Sequence, residues 1–205
     1  MPTTAHTTAQ NLDRIRGLLA YDPALDEKIV LSERPWEGKI FQVERLAVEL
    51  SDGSRGIREL ARHHGGAGVV AVRDAVDGSG REVCLVRQWR AVLGRVTLEI
   101  PAGKLDADET GASCAARELS EETGLRARHL TRLVTTLGSP GFTDEHTEVF
   151  LATGLSQHEA APDPGELVYV SWLPADEVVA AIQAGLIQDA KTVAGVLAAR
   201  VAGML

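Results

Sequence analysis

The 205-residue sequence has few cysteines, few aromatic residues and no long apolar run. No apolar segment approaches the roughly 18 residues that a membrane-spanning helix requires, so we expect no membrane span. The two cysteines, Cys84 and Cys114, have no CxxC spacing and lie in apolar surroundings. This argues against a disulfide framework or a zinc site. We therefore expect buried, unreactive thiols and a reducing, cytoplasmic location.

The sequence also lacks an excess of basic residues. It has 21 Lys and Arg against 29 Asp and Glu, a formal net charge of -8. Nucleic-acid binding needs a basic surface that displaces counterions from phosphates, so we expect no nucleic-acid partner. The six histidines show no metal-ligand spacing such as HExxH. A small anionic ligand would therefore depend on local arginines and on a metal held by oxygen ligands.

The apolar periodicity predicts an α/β fold. Apolar alternation at 39–50, β-branched runs and turn signals predict strands at 39–50, 55–62, 67–72, 83–87, 96–100, 130–137, 147–152 and 167–172. Helical spacing predicts helices at 11–20, 110–123, 175–184 and 190–201, and 156–166 is predicted to be a loop. The first two strands are predicted to form an antiparallel hairpin. We expect residues 1–37 to be an N-terminal extension with a short helix, and 38–205 to be the main domain.

The predicted helix at 110–123 has apolar residues at positions i, i+3, i+4 and i+7, namely Ala112, Ala115, Ala116 and Leu119. We expect this stripe to pack on a sheet and Gly124 to end the helix.

Three carboxylates follow within five residues of the same helix, Glu118, Glu121 and Glu122. A charged helix face is most often simply solvated. Here, however, Glu118 and Glu122 are one turn apart and border the apolar stripe, so we expect them to be partly shielded. Clustered hard oxygens in a shielded cleft suit Mg²⁺ or Mn²⁺.

The segment from Gly103 to Leu125 resembles the Nudix box, GX5EX7REUXEEXGU with U aliphatic, at every fixed position. A chance match is rarer than about one in 10⁸ per starting position. The resemblance implies a Nudix fold, a mixed sheet between helices (α/β/α), and metal-assisted hydrolysis of a diphosphate. It implies that Glu118, Glu122 and the carbonyl of Ala102 coordinate metal, and that Glu121 assists a further ion or its waters. Arg117 and Glu109 are expected to form an ion pair.

Segments outside the box resemble the ADP-ribose pyrophosphatase group. Pro140 lies fifteen residues beyond Leu125, and Val86–Arg90 is similar to the group's V-[KR]-Q-[FYW]-R segment. This resemblance implies hydrolysis of ADP-ribose to AMP and ribose 5-phosphate by a homodimer. It implies that Arg90 contacts the substrate, and Arg62 is a second candidate for binding the diphosphate.

Two further site residues come from the same resemblance. Trp36 lies where members of the group offer an aromatic ring to adenine, with burial as a packing residue the alternative. Glu166, in a Gly-Glu-Leu-Val segment similar to the group's G-E-[FL]-V, is expected to orient or deprotonate the attacking water. Glu145 is the rival base.

Two other functions stay open from the sequence. The substrate could be another nucleoside diphosphate sugar, such as a GDP-sugar, because the catalytic part would look the same. The chain could also be a non-catalytic module that senses a nucleotide, although the intact box argues against that.

Overall fold

The structure, a computed structural model, describes residues 12–162, 165 and 167–205. Two compact units form within these residues. The first comprises the described part of Met1–Glu37 together with Val43–Leu60, and the second comprises Gly38–Gln42 and the described part of Ala61–Leu205. No helix among the described residues is long and apolar enough to cross a membrane.

A short helix and a three-stranded sheet make up most of the first unit. Helix α1 (12–18) is followed by β1 (Glu27–Glu37), β2 (Phe41–Leu50) and β3 (Arg55–His63), in the sheet order β1-β2-β3. The predicted β2–β3 hairpin is confirmed, and Gly53 provides the positive φ of 81° in its turn. Strand β1 was not predicted. All eleven of its residues are exposed, so no alternation of buried and solvated positions marks it in the sequence.

A seven-stranded mixed sheet forms the second unit. Its strands are β4 (Gly66–Asp74), β5 (Arg81–Arg90), β6 (Arg95–Glu99), β7 (Ala102–Lys104), β8 (Leu125–Leu137), β9 (His146–Gln157) and β10 (Tyr169–Pro174). The order is β10-β5-β4-β9-β8, with β6 beside β5 and β7 beside β4. Strands β4 and β9 run parallel, and the other described pairs are antiparallel.

Helices cover both faces of this sheet. Val69 and Ala71 of β4 pack in one apolar cluster with α2 (Gly111–Thr123). Val70 and Val72 point the opposite way and pack with α3 (Ala175–Gln183) and α4 (Ala190–Val201). The α/β/α arrangement expected from the sequence is therefore confirmed.

The strand boundaries differ from prediction where local patterns are weak. Strand β8 begins at Leu125 rather than 130, and an irregularity between Arg132 and Val134 breaks its alternation. Strand β7 has only three residues, too few to show a period. The predicted strand at 167–172 is found two residues later, at Tyr169–Pro174.

Both cysteines are buried in one apolar cluster, Cys84 on β5 and Cys114 on α2, and their predicted burial is confirmed. Cys84 and Cys114 are free and fully buried, and desolvation raises the pKa of each thiol to about 12. Neither thiol is therefore ionised near neutral pH.

Candidate active site

Helix α2 begins at the N-cap Thr110, whose side chain accepts a hydrogen bond from the amide of Ser113, and ends at Gly124 with φ of 70°. The helix buries a stripe that differs from the prediction. Its members follow i, i+3, i+4, i+7, i+8, i+11 and i+12 spacing: Gly111, Cys114, Ala115, Glu118, Leu119, Glu122 and Thr123. Ala112 and Ala116 are exposed, so their predicted place in the stripe is wrong.

The predicted stripe was wrong because glutamates occupy part of the buried face of α2. Two of the seven buried positions carry glutamates, which a hydrophobicity criterion assigns to the surface. Glu118 is 9% exposed and Glu122 is 6% exposed, so the two carboxylates lie within the buried face rather than beside it. Burying two carboxylates is costly unless other groups stabilise them.

Both carboxylates lie against the backbone of β7. The amide of Ala102 donates to Oε2 of Glu122 at 3.0 Å. A Cβ atom placed on Gly103 would lie 1.9 Å from Oε1 of Glu118, so only glycine leaves room for this carboxylate. The structure thus brings Glu118, Glu122 and the backbone of Ala102 and Gly103 together.

Arg117 joins the remaining acidic residues of the box. Its Nε and Nη2 donate to the two oxygens of Glu109 at 3.0 and 2.8 Å, which confirms the expected ion pair. Its Nη1 donates to Glu118 at 2.7 Å and to Glu121 at 3.0 Å, and its Nη2 also reaches the carbonyl of Lys104. Hydrogen bonds from the guanidinium, first to Glu109, raise the pKa of Arg117. Arg117 therefore neutralises carboxylate charge and ties the 104–109 loop to the helix.

The donor chemistry of this cluster fits a hard divalent cation. Glu118 and Glu122 provide buried carboxylate oxygens next to the backbone of Ala102 and Gly103. Within the described part of the chain, no three side chains of His, Cys, Asp or Glu already converge as a metal-binding group. Glu121 pairs with Arg117 and its side chain is 34% exposed. A site here would thus combine two carboxylates with backbone and water oxygens.

A cleft of about 760 Å³ is lined by β6, and Arg90 and Glu145 also line it. Arg90 is the last residue of β5 and its side chain is 39% exposed. Its Nε and Nη2 donate to the two oxygens of Glu99 at 2.8 and 2.7 Å. The substrate candidate Arg90 and the rival base Glu145 therefore share one cavity.

Glu99, at the end of β6, is a site residue that sequence reasoning missed. It is 2% exposed. Burial alone would raise the pKa of Glu99, but hydrogen bonds and charge from Arg90, Lys191 and Thr97 lower it to about 2. It is therefore ionised at neutral pH. The available signal was a glutamate directly before the buried Ile100, at the end of an apolar strand.

The other predicted residues lie elsewhere. Arg62 donates to Asp144 at 3.1 Å and lines a separate cavity of about 240 Å³, so it does not share the cleft of Arg90. Trp36 lies on β1 in the first unit and is about half exposed. Glu166 lies outside the described residues, and its role stays a prediction.

The comparison with known proteins decides the family. A family model described as NUDIX domain matches residues 62–194. The chain belongs to the Nudix family. An ADP-ribose pyrophosphatase of Bacillus subtilis (strain 168) is 37% identical over 171 residues, 82% of this chain and 90% of that protein. An ADP-ribose pyrophosphatase of Mycobacterium tuberculosis is 36% identical over 177 residues, 84% of this chain and 83% of that protein.

The fold is shared with a solved structure as well. A crystal structure of an ADP compounds hydrolase superposes with a TM-score of 0.74, covering 91% of this chain and 100% of that chain at 21% identity. At this identity the likeness establishes the Nudix fold of the chain, and the buried glutamates of α2 belong to an intact Nudix box.

Proposed function

We propose that this Nudix protein is a divalent-metal-dependent hydrolase of nucleoside diphosphate derivatives that splits ADP-ribose into AMP and ribose 5-phosphate. The observation that carries the proposal is the pair Glu118 and Glu122, buried in the helix stripe against the backbone at Gly103. A stability-driven helix face would bury apolar residues at these positions. The substrate is supported by relatives named ADP-ribose pyrophosphatases that match most of this chain.

Each residue then has a defined task in the hydrolysis. Glu118, Glu122 and the carbonyl of Ala102 would hold Mg²⁺ or Mn²⁺, with Glu121 assisting a further ion or its waters. The bound cation would neutralise diphosphate charge and acidify water. Arg117 keeps the acidic cluster in place through its bonds to Glu118 and Glu121.

The substrate is bound and attacked from the cleft side. Arg90 contacts diphosphate oxygens, with Arg62 a second candidate for anion binding and Trp36 for stacking on adenine. Water attacks one phosphorus, its oxygen forms the new P–O bond, and the bridging P–O bond breaks. The proton of the water passes to a carboxylate, for which we propose Glu166. Glu145 is the alternative acceptor, favoured by its place in the cleft with Arg90.

A substrate panel tests the proposal. Purified protein with Mg²⁺ is incubated with ADP-ribose and with a GDP-sugar, and the products are identified by chromatography. We expect AMP and ribose 5-phosphate from ADP-ribose, with kcat/KM at least about tenfold above the GDP-sugar. Faster hydrolysis of the GDP-sugar would show that ADP-ribose is not the preferred substrate. No hydrolysis of any diphosphate would favour the nucleotide-sensing alternative.

We also propose that the protein is a cytoplasmic homodimer. The two buried free thiols are compatible with a reducing compartment. Strand β1 of the first unit exposes Ile29, Val30 and Leu31, more apolar surface than an isolated strand usually presents to water. Sedimentation at micromolar concentration should give twice the 21.9 kDa chain mass, and a monomer would contradict the proposal.

A further inference from the structure

Glu99 is the centre of an ionic network that connects β6 to the start of α4. Its Oε1 accepts from Arg90 and from Oγ1 of Thr97 at 2.8 and 2.7 Å. Its Oε2 accepts from Arg90 and from Nζ of Lys191. Lys191 also donates to Asp189 at 2.8 Å. Oε2 of Glu99 is therefore shared between two cations that approach from different elements, Arg90 from β5 and Lys191 from α4.

Negative charge surrounds Arg90 at the edge of the cleft. Glu99 pairs with it directly, and Asp189 and Glu122 act on it through space. Within this group the three carboxylates outnumber the two cations, Arg90 and Lys191, by one, while Arg87 and Arg95 also line the cleft. Without Lys191 the excess becomes two, in a partly buried region where solvent and salt screen poorly. The surroundings of Arg90 would then attract a diphosphate less strongly.

We propose that Lys191 is a positioning residue for substrate binding, which shares the charge of Glu99 and so leaves the guanidinium of Arg90 available to the diphosphate. The proposal rests on the function proposed above. Among the described residues, no group accepts from Nη1 of Arg90, whereas its Nε and Nη2 are bound to Glu99. Because Arg90 lines the cleft, this remaining edge can meet an anion there. Lys191 would thereby act on the substrate through Glu99 and Arg90.

Removal of the Lys191 charge should leave α4 in place. The helix N-terminus is capped by Asp189, which accepts from the amide of Thr192 at 3.0 Å. The hydroxyl of Thr192 in turn accepts from the amide of Ile100 at 2.9 Å. This second link joins α4 to the chain after Glu99 without using Lys191. A Lys191 variant is therefore expected to remain folded.

The test measures binding of ADP-ribose by calorimetry with EDTA present, so that no turnover occurs. Lys191→Met should raise Kd at least about tenfold, and raise KM with Mg²⁺ similarly, while kcat changes less than about threefold. Lys191→Arg keeps the charge and should stay within about threefold of wild type in Kd. Arg200→Met is the matched control: it removes a cation from the same helix, away from the cleft, and should leave Kd unchanged.

The double variant Glu99→Gln/Lys191→Met distinguishes an effect of charge on Kd from an effect of altered structure. It removes one charge of each sign, so it should bind ADP-ribose more tightly than Lys191→Met alone. A double variant that binds as weakly as Lys191→Met, or a Lys191→Met protein with wild-type Kd, would overturn the proposal. Wild-type protein that neither binds nor hydrolyses ADP-ribose would instead refute the proposed function, so the two failures are distinct.

Discussion

Replacing Gly103 with alanine places a methyl group where the carboxylate of Glu118 lies. The new Cβ would be 1.9 Å from Oε1, 2.1 Å from Cδ and 2.5 Å from Oε2 of Glu118. Ordinary van der Waals contact begins near 3.4 Å, so the carboxylate must retreat by about 1.5 Å. The carboxylate is the end of the flexible Glu118 side chain, so it can move away without a shift of the helix.

Gly103→Ala should therefore reduce the catalytic rate more than the stability of the fold. A misplacement of about 1 Å in a catalytic arrangement can reduce the rate about 10²-fold, or about 2.7 kcal/mol. We expect kcat for ADP-ribose to fall at least about 10²-fold, with a Tm change of only a few degrees. Steady-state kinetics and thermal unfolding measure the two effects.

A second glycine provides the control. A Cβ on Gly17 in α1 would meet no atom within 4 Å, so Gly17→Ala should leave kcat unchanged. A folded Gly103→Ala protein that keeps more than a tenth of wild-type kcat would show that the close approach of Glu118 to the backbone has no part in catalysis.

Three further predictions concern individual glutamates. Glu122→Gln should lower kcat at least about 10²-fold with an unchanged circular dichroism spectrum, and retention of a tenth of the rate would contradict its role. Glu166→Gln should lower kcat more than Glu145→Gln at similar KM; the reverse order would assign the base to the cleft residue. Because the pKa of Glu99 is lowered to about 2 from 4.5, its stabilisation is complete above the unfolded value and is lost as pH falls toward 2. Denaturant unfolding at pH 6 and pH 3 should show this loss in wild type and a smaller one in Glu99→Gln, and equal losses would refute the assignment.

The elements that local periodicity encodes were predicted well from the sequence. Helix α2 and its end at Gly124 follow from spacing and from the left-handed conformation that glycine favours. The hairpin around Gly53 follows from turn chemistry. Strand β1 could not be predicted in this way, because every one of its residues is exposed and no alternation results.

The arrangement of side chains within the candidate site was harder to predict from the sequence. The sequence places Glu118 and Glu122 one helical turn apart. Alanine occurs on both buried and exposed helix faces, so its apolar character wrongly assigned Ala112 and Ala116 to the buried face. The contact of Lys191 with Glu99 spans 92 residues of sequence. It depends on how α4 packs against the end of β6, which no local pattern specifies.

The most direct test of the central claim is the metal dependence of ADP-ribose hydrolysis, followed by product chromatography and circular dichroism on the same sample. With Mg²⁺ we expect AMP and ribose 5-phosphate. After EDTA we expect no turnover with the fold retained, and full activity when Mg²⁺ is restored, because Arg117 and the amide of Ala102 bond to Glu118 and Glu122 without a metal. Undiminished hydrolysis in EDTA, or unfolding upon chelation, would contradict a catalytic metal at Glu118 and Glu122.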